Sequence, residues 1–267
     1  MFSDYNRYEG ISDKRAVLLQ SGGLDSNICA AILKYYGFEI HHIFVDYGQN
    51  SAKNERAMVE KIVKRYGGTL HTCKLELPWL SKSSILVGGV VDDWDADGSL
   101  NTLETGVYVP MRNMMLLSIA GSLAESLQIP NICSALDGEQ DFDGNPTGGT
   151  TDKHPDFVRK VESAITEGSE MKHIYGGKYN ILTPLMGRCK SEGVLIGQKF
   201  FADMSLSWSC YNSTEVPCGE CSACRARAQG FFYAGLKDPL LEKLGIEIDS
   251  EKIIDPILGS NPIDIVV

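Results

Sequence analysis

The chain has 267 residues, 43% of them hydrophobic and 22% charged, with 8 cysteines and a formal net charge of −10 at pH 7. That length buries a full core in one domain and leaves room for a small appended lobe. The acidic balance argues against broad, sequence-independent nucleic-acid binding, so an anionic ligand must be held by a local site. Residues 1–13 are polar, with no apolar signal region, and no apolar run is long enough to span a bilayer. A cytoplasmic protein without a membrane partner is therefore expected.

In chain order, Ala16, Val17, Leu18 and Leu19 form an apolar run that reads as a buried parallel strand. It stops at Ser21-Gly22-Gly23-Leu24-Asp25-Ser26, and residues 27–36 then have helical spacing. The glycines allow a sharp turn and close approach of a ligand, while the helix start presents free N–H groups and its positive dipole end. Together these make a cradle for a phosphate or pyrophosphate. No Gly-Lys-Ser or Gly-Lys-Thr follows, so it is not a Walker A loop. Asp25 suits either magnesium coordination or capping of the helix.

Gly37 ends that helix, and residues 39–46 read as a second strand. Tyr47-Gly48-Gln49 leaves its C-terminal end, where open α/β sheets bind ligands. Ser51 is placed to cap a helix running to about Tyr66, which Gly67-Gly68 stops. Residues 69–75 make a third strand. His41, His42 and His71 are most cheaply explained as strand-surface residues. From 78 to 106 the pattern dissolves into an acidic loop with Asp92, Asp93, Asp95 and Asp97. Its spacing lacks the twelve-residue calcium loop, so a solvated insertion is expected.

Order returns at residues 107–113, followed by a helix over 114–127, Pro130, and a strand over 131–136 that ends at Asp137. A second irregular stretch, 138–151, precedes a helix from Pro155 to Ile165. Ile181-Leu182 is a short final strand, and Lys190-Ser191-Glu192 opens another helix. Strands alternating with helices predict an α/β doubly wound, mainly parallel sheet. The tail beyond Phe231, broken by Pro239, Gly245, Pro256 and Pro262, is expected to pack on the surface or on a second copy of the chain. The organisation expected is an α/β domain over 1–200, a small cysteine-bearing lobe over 201–235 and a tail over 236–267, in a homodimer.

Cys210, Cys218, Cys221 and Cys224 give C-x7-C-G-E-C-x2-C. Overlapping C-x2-C steps place thiolates on a tight knuckle, which favours one tetrahedral zinc. Disulfides, redox catalysis and an iron–sulfur cluster are the alternatives. Zinc uses all four thiols in one closed site. Cys29, Cys73 and Cys133 read as core; Cys189 is unassigned.

The SGGLDS string resembles the pyrophosphate loop of the PP-loop ATP pyrophosphatase superfamily. Combined with CGECxxC, the chain resembles the 7-cyano-7-deazaguanine synthase family, usually called QueC, from about Ala16 to Phe231. Asp46-Tyr47-Gly48-Gln49, Val109-Pro110-Met111-Arg112-Asn113, Thr183-Pro184-Leu185-Met186 with Lys190-Ser191-Glu192, and Ser209-Cys210-Tyr211 match in order. The resemblance implies an adenine nucleotide alpha hydrolase-like fold. It also implies an ATP-dependent ligase that adenylates 7-carboxy-7-deazaguanine, releases pyrophosphate, and uses ammonia to reach the nitrile. Cofactors implied are ATP, Mg2+ and Zn2+. ATP would contact Ser21, Gly22, Gly23, Leu24, Asp25, Ser26, Val45 and Tyr47. Arg112 and Lys190 would lie near the phosphates, with Asp25 as the third catalytic group. Arg112, Asp137, Asp152 and His154 would meet the base or its carboxylate.

One stretch departs from the family pattern. Where the family has Y-P-D-C-R, this chain has Thr150-Thr151-Asp152-Lys153-His154, after a longer, glycine-rich loop. Arg offers a bidentate fork that Lys or His cannot copy, so base recognition must be rebuilt. QueC-like paralogues in bacterial anti-phage defence clusters, thought to use the activated deazaguanine on a macromolecule, are one alternative. A tRNA sulfurtransferase and a non-catalytic binding protein are two more. The sulfurtransferase would need a free catalytic cysteine and a basic surface.

Overall fold

A computed structural model of the chain describes residues 3–80, 83, 85–86, 108–138, 151–171, 173 and 176–246. The acidic stretch 92–98, most of the irregular 138–151 stretch, and Pro256 and Pro262 lie outside the described residues. Five strands form one sheet: β1 (Arg15–Leu19), β2 (Glu39–Asp46), β3 (Thr69–Lys74), β4 (Asn131–Cys133) and β5 (Asn180–Leu182). Their order is β3-β2-β1-β4-β5, and every pairing is parallel. Helices α1 (Leu24–Tyr35), α2 (Ala52–Tyr66), α3 (Arg112–Ser126), α4 (Pro155–Glu167), α5 (Lys190–Lys199), α6 (Ser222–Tyr233) and α7 (Pro239–Leu244) complete it.

Strand alternation assigns the helices to faces. Leu18 belongs to a core with Ile28, Ile32, Ile62, Val194 and Phe200, so α1, α2 and α5 cover one face. Its neighbour Val17 belongs to a second core with Leu117, Ala120, Val158 and Val161, so α3 and α4 cover the other. This is the expected doubly wound arrangement. Strand order reverses direction between β1 and β4, and the crevice at their C-terminal ends is where such sheets bind ligands. No helix among the described residues is long and apolar enough to cross a membrane.

Several local expectations change. The polar N-terminus is part of the core: Tyr5 and Tyr8 in the 3₁₀ turn Ser3–Tyr8 are buried, and the Tyr5 hydroxyl donates to the Pro184 carbonyl at 2.6 Å. A polar composition hid two aromatic rings that pack against Phe200 and Tyr36. Helix α1 begins at Leu24 and α3 at Arg112, earlier than the apolar spacing alone indicates. His42 is not a surface residue but fully buried, between Gln20 and the Gly67 carbonyl. Ser51 stands at the start of α2, yet its hydroxyl donates to Glu55 instead of accepting a backbone N–H.

The segment after α6 is anchored by a buried ion pair. Arg227 donates to both oxygens of Asp238, at 2.5 and 2.9 Å, and to Ser207 Oγ and the Met204 carbonyl. Asp238 also caps α7 by accepting the Leu240 N–H. Breaking a buried pair strands the remaining charge, whereas replacing both ends with apolar groups does not. Asp238→Ala is expected to lower unfolding free energy by about 3 kcal/mol or more, and the Arg227→Met/Asp238→Leu double variant by clearly less. Denaturant unfolding measures both.

Candidate active site

The loop at the C-terminal end of β1 is shaped by backbone crowding. Gly22 has φ of 78°, and a Cβ there would lie 2.4 Å from the Glu55 carbonyl oxygen, so only glycine fits. Its own carbonyl accepts the Trp208 N–H at 2.8 Å. Gly23, at the N-cap of α1, has an ordinary φ of −77°, and a Cβ there would meet nothing closer than Ser21 Oγ at 3.2 Å. The two glycines therefore differ: a Cβ at Gly22 would meet fixed backbone, whereas one at Gly23 would press on a side-chain oxygen that can yield by a few tenths of an ångström. Leu24 turns its side chain into the core, so only its backbone faces the loop. Ser21 and Ser26 hydroxyls lie 3.1 Å apart, and Ser26 donates to the Gly23 carbonyl at 3.1 Å.

A line of alternating charges crosses the crevice. Lys190, first residue of α5, donates to Asp25 Oδ2 at 2.6 Å and lies 3.8 Å from Asp137 Oδ2. Asp137, just past β4, also accepts from Lys153 at 3.1 Å and from the Gly138 N–H at 3.0 Å. Burial opposes the Asp137 charge, but Lys153 and Lys190 outweigh it and hold the carboxyl below its usual range. The Lys190 stem is positioned by close helix packing. A Cβ at Gly230 of α6 would fall 2.6 Å from Lys190 Cγ, and Glu192 closes a capping box by accepting the Cys189 N–H. Cys189, unassigned from sequence, is thus the N-cap of α5.

Arg112 forms a second node. It lies among Tyr47, Tyr211 and Asp152, and its guanidinium bonds Tyr47. Burial works against its charge, and these neighbours restore it. The residue before it, Met111, is held in the left-handed region with φ of 58°, a strained entry to α3. Asn113 donates to the Asp152 carbonyl at 3.4 Å. The dipeptide Asp152-Lys153 therefore joins the Arg112 node to the Asp137–Lys190–Asp25 node. His154 is the N-cap of α4, and its buried Nδ1 has no hydrogen-bond partner among the described residues. Val45 is a buried strand residue of the second core, and Tyr47 beside it packs between that core and a small cluster of Ile85, Leu86 and Val109.

Sequence reasoning missed Glu55. It accepts from Gln49 Nε2 at 2.8 Å and Ser51 Oγ at 2.7 Å, and so shapes the Asp-Tyr-Gly-Gln turn. Burial raises its pKa, with Gln49 and Ser51 opposing. Its signal was the spacing Gln49-x-Ser51-x3-Glu55, legible only once the turn is known to fold onto the helix.

The four clustered cysteines converge. All four Sγ atoms lie within 4.8 Å of one another, and two measured separations are 3.5 and 4.0 Å. A tetrahedral zinc–thiolate site needs sulfurs about 3.8 Å apart, given its bond length. Backbone N–H groups of Asn212 and Cys218 point at Cys210 Sγ, and that of Cys221 at Cys218 Sγ, as a thiolate knuckle requires. The residues fit a closed zinc site. It packs on Trp208, whose indole donates to the Cys210 carbonyl at 2.8 Å.

The parallel five-stranded sheet with a Ser-Gly-Gly loop at its switch point is the doubly wound α/β architecture that the resemblance implies. A family model described as "Queuosine biosynthesis protein QueC" matches residues 15–235. The chain is 35% identical to a 7-cyano-7-deazaguanine synthase of Thermoplasma volcanium, covering 85% of this chain and 90% of that one. It is 34% identical to those of Campylobacter jejuni and Methanosarcina barkeri, with 86 and 87% of this chain and 99 and 100% of theirs covered. The chain belongs to the QueC family.

A closed thiolate site contributes folding energy directly. Cys221→Ser is expected to reduce zinc content in elemental analysis and to lower the melting temperature by several degrees, on the order of 2 kcal/mol or more. An unchanged melting curve with no zinc in the wild type would rule the metal site out.

Proposed function

We propose that this chain is a 7-cyano-7-deazaguanine synthase. It transfers AMP from ATP to the carboxylate of 7-carboxy-7-deazaguanine, and pyrophosphate leaves. Ammonia displaces AMP to give the amide. A second ATP adenylates the amide oxygen, releasing pyrophosphate and one N–H proton, and loss of AMP with the second N–H proton yields the nitrile. The observation that carries this reading is the family match across nearly the whole length of the relatives, joined to a lysine held against the loop aspartate at the switch point.

Each group has a physical task in this reading. The backbone of residues 21–26 and the start of α1 hold the pyrophosphate portion. Lys190 brings positive charge to the departing pyrophosphate, where stabilisation of developing charge is worth most. Its partner Asp25 keeps that ammonium in place. The carboxylates of Asp25 and Asp137 suit one magnesium, which would supply Lewis-acid neutralisation of the phosphates when bound with ATP. Arg112, supported by Tyr47 and Tyr211, faces the substrate carboxylate. Asp152 accepts from the amino group and ring N–H of the deazaguanine, and His154 offers its unpartnered Nδ1 nearby. No side chain needs to act as a nucleophile.

Incubation with 7-carboxy-7-deazaguanine, ATP and ammonia, followed by mass spectrometry, tests the reading. The nitrile is expected, with two pyrophosphates per product. Ammonia-independent labelling of a protein or nucleic acid, with no free nitrile, would favour the defence paralogue instead. Lys190→Met is expected to lower the rate of pyrophosphate release by about 10²–10³-fold with the fold intact. Gly23→Val is expected to abolish it with the fold retained, because φ is ordinary and the nearest neighbour of a Cβ, Ser21 Oγ at 3.2 Å, is a side-chain atom that can shift aside. Asp152→Ala is expected to raise KM for the deazaguanine far more than KM for ATP. Unchanged kinetics in all three would mean that this crevice is not the reaction centre.

A further inference from the structure

A chain of buried polar groups runs behind the phosphate loop. His42 on β2, Gln20 just past β1, and Ser26 on α1 are all at most 2% exposed. His42 Nε2 lies 3.0 Å from the Gly67 carbonyl, and its Nδ1 lies 3.2 Å from Gln20 Oε1. Gln20 Nε2 donates to Ser26 Oγ at 2.8 Å, and Ser26 meets Ser21 at 3.1 Å. The proton count along this chain is constrained at every link.

The Gly67 carbonyl can only accept, so His42 Nε2 carries a hydrogen. With Gln20 Oε1 at Nδ1, that nitrogen must carry one too, and the ring is an imidazolium. The Gln20 amide then donates to Ser26, whose own hydroxyl hydrogen stays on the loop, where it meets the Gly23 carbonyl at 3.1 Å and can turn to a stronger acceptor. If the ring is neutral, Nδ1 is a lone pair and the Gln20 amide must turn over to donate to it. Gln20 Oε1 then takes the Ser26 hydroxyl hydrogen, and Ser26 has none left to give. A phosphate oxygen is a pure acceptor. It rewards the first arrangement and gains nothing from the second.

We propose that nucleotide binding at the Ser21–Ser26 loop is coupled to protonation of His42, with the Gln20 amide carrying the coupling. The proposal rests on the reading that this loop holds phosphates. Without ligand, burial pushes the His42 pKa down to about 4, and the nearby His41 and His71 also oppose a positive charge there. The Gly67 carbonyl, at the C-terminal cap of α2 and so at the negative end of its dipole, favours that charge. Those are the titratable and charged influences on the ring among the described residues. A bound polyphosphate adds negative charge on the far side of Gln20 and Ser26, and the His42 pKa rises. Binding therefore takes up a proton. Affinity strengthens as pH falls through the raised pKa and levels off below about 4.

The test is calorimetric titration of the full chain with α,β-methylene-ATP and magnesium, in buffers of differing ionisation enthalpy near pH 6. Wild type is expected to take up more protons per nucleotide than His42→Gln or Gln20→Met. The second variant keeps the histidine and breaks the relay. Relative to these variants, wild-type affinity is expected to gain up to about tenfold per unit fall in pH across the window. The imidazole nitrogen shifts of His42 in the wild-type complex report the same event without any substitution, and should show both nitrogens protonated. Binding with equal proton uptake in all three proteins, or a His42 ring that stays neutral in the complex, overturns the coupling alone. No binding by the wild type overturns the phosphate-loop reading and the coupling together.

Discussion

The backbone crossing at Gly22 is the constraint on which the rest of the site depends. The Glu55 carbonyl of α2 presses on one side of that residue and the Trp208 N–H holds its carbonyl on the other. The loop, the helix after β2 and the cysteine lobe thus meet at a single residue that has no room for a Cβ. Packing this tight transmits position, because dense interiors have no slack to absorb a shift. The cysteine knuckle far along the chain can therefore contribute to the shape of the loop after β1. Trp208 packs against the knuckle, and its N–H holds the Gly22 carbonyl.

Electrostatics in the crevice follows the same logic of mutual support. Asp25, Lys190, Asp137 and Lys153 alternate in sign, so each charge is compensated before any ligand arrives. Such a network is poor as a source of stability, since its members are partly exposed to water. Its value is positional. The ammonium of Lys190 is held by two carboxylates, so the side chain is ordered in the crevice without any ligand. Lys153, which stands where the family pattern has Cys, is a member of the network through its ion pair to Asp137.

The cores on the two faces of the sheet explain why the crevice lies where it does. Val17 and Leu18 point into opposite layers, and the crossover between β1 and β4 leaves a gap between helices at the strand ends. The loop after β1, Asp137 after β4 and the start of α5 after β5 all converge there. Arg112 reaches the same edge from the strained turn at Met111.

Local signals in the chain carried the alternating elements, the Ser-Gly-Gly loop, the cysteine knuckle and the family resemblance. They did so because each depends on neighbours in sequence: a strand's apolar run, a helix start, a C-x2-C spacing. Contacts between segments far apart were not legible in this way. From its local sequence Lys190 is only the residue that opens a helix; packing of α6 against it sets it on Asp25, 165 positions away. His42 read as a strand-surface residue because alternation says which residues share a face and not whether that face is covered. Tyr5 and Tyr8 were hidden in a polar terminus because burial is decided by what folds over a residue. Gly22 and Gly23 look alike in sequence, and only the approach of Glu55 tells them apart. Periodicity and spacing are properties of the chain; which polar group meets which is decided by packing, and so belongs to the tertiary structure alone.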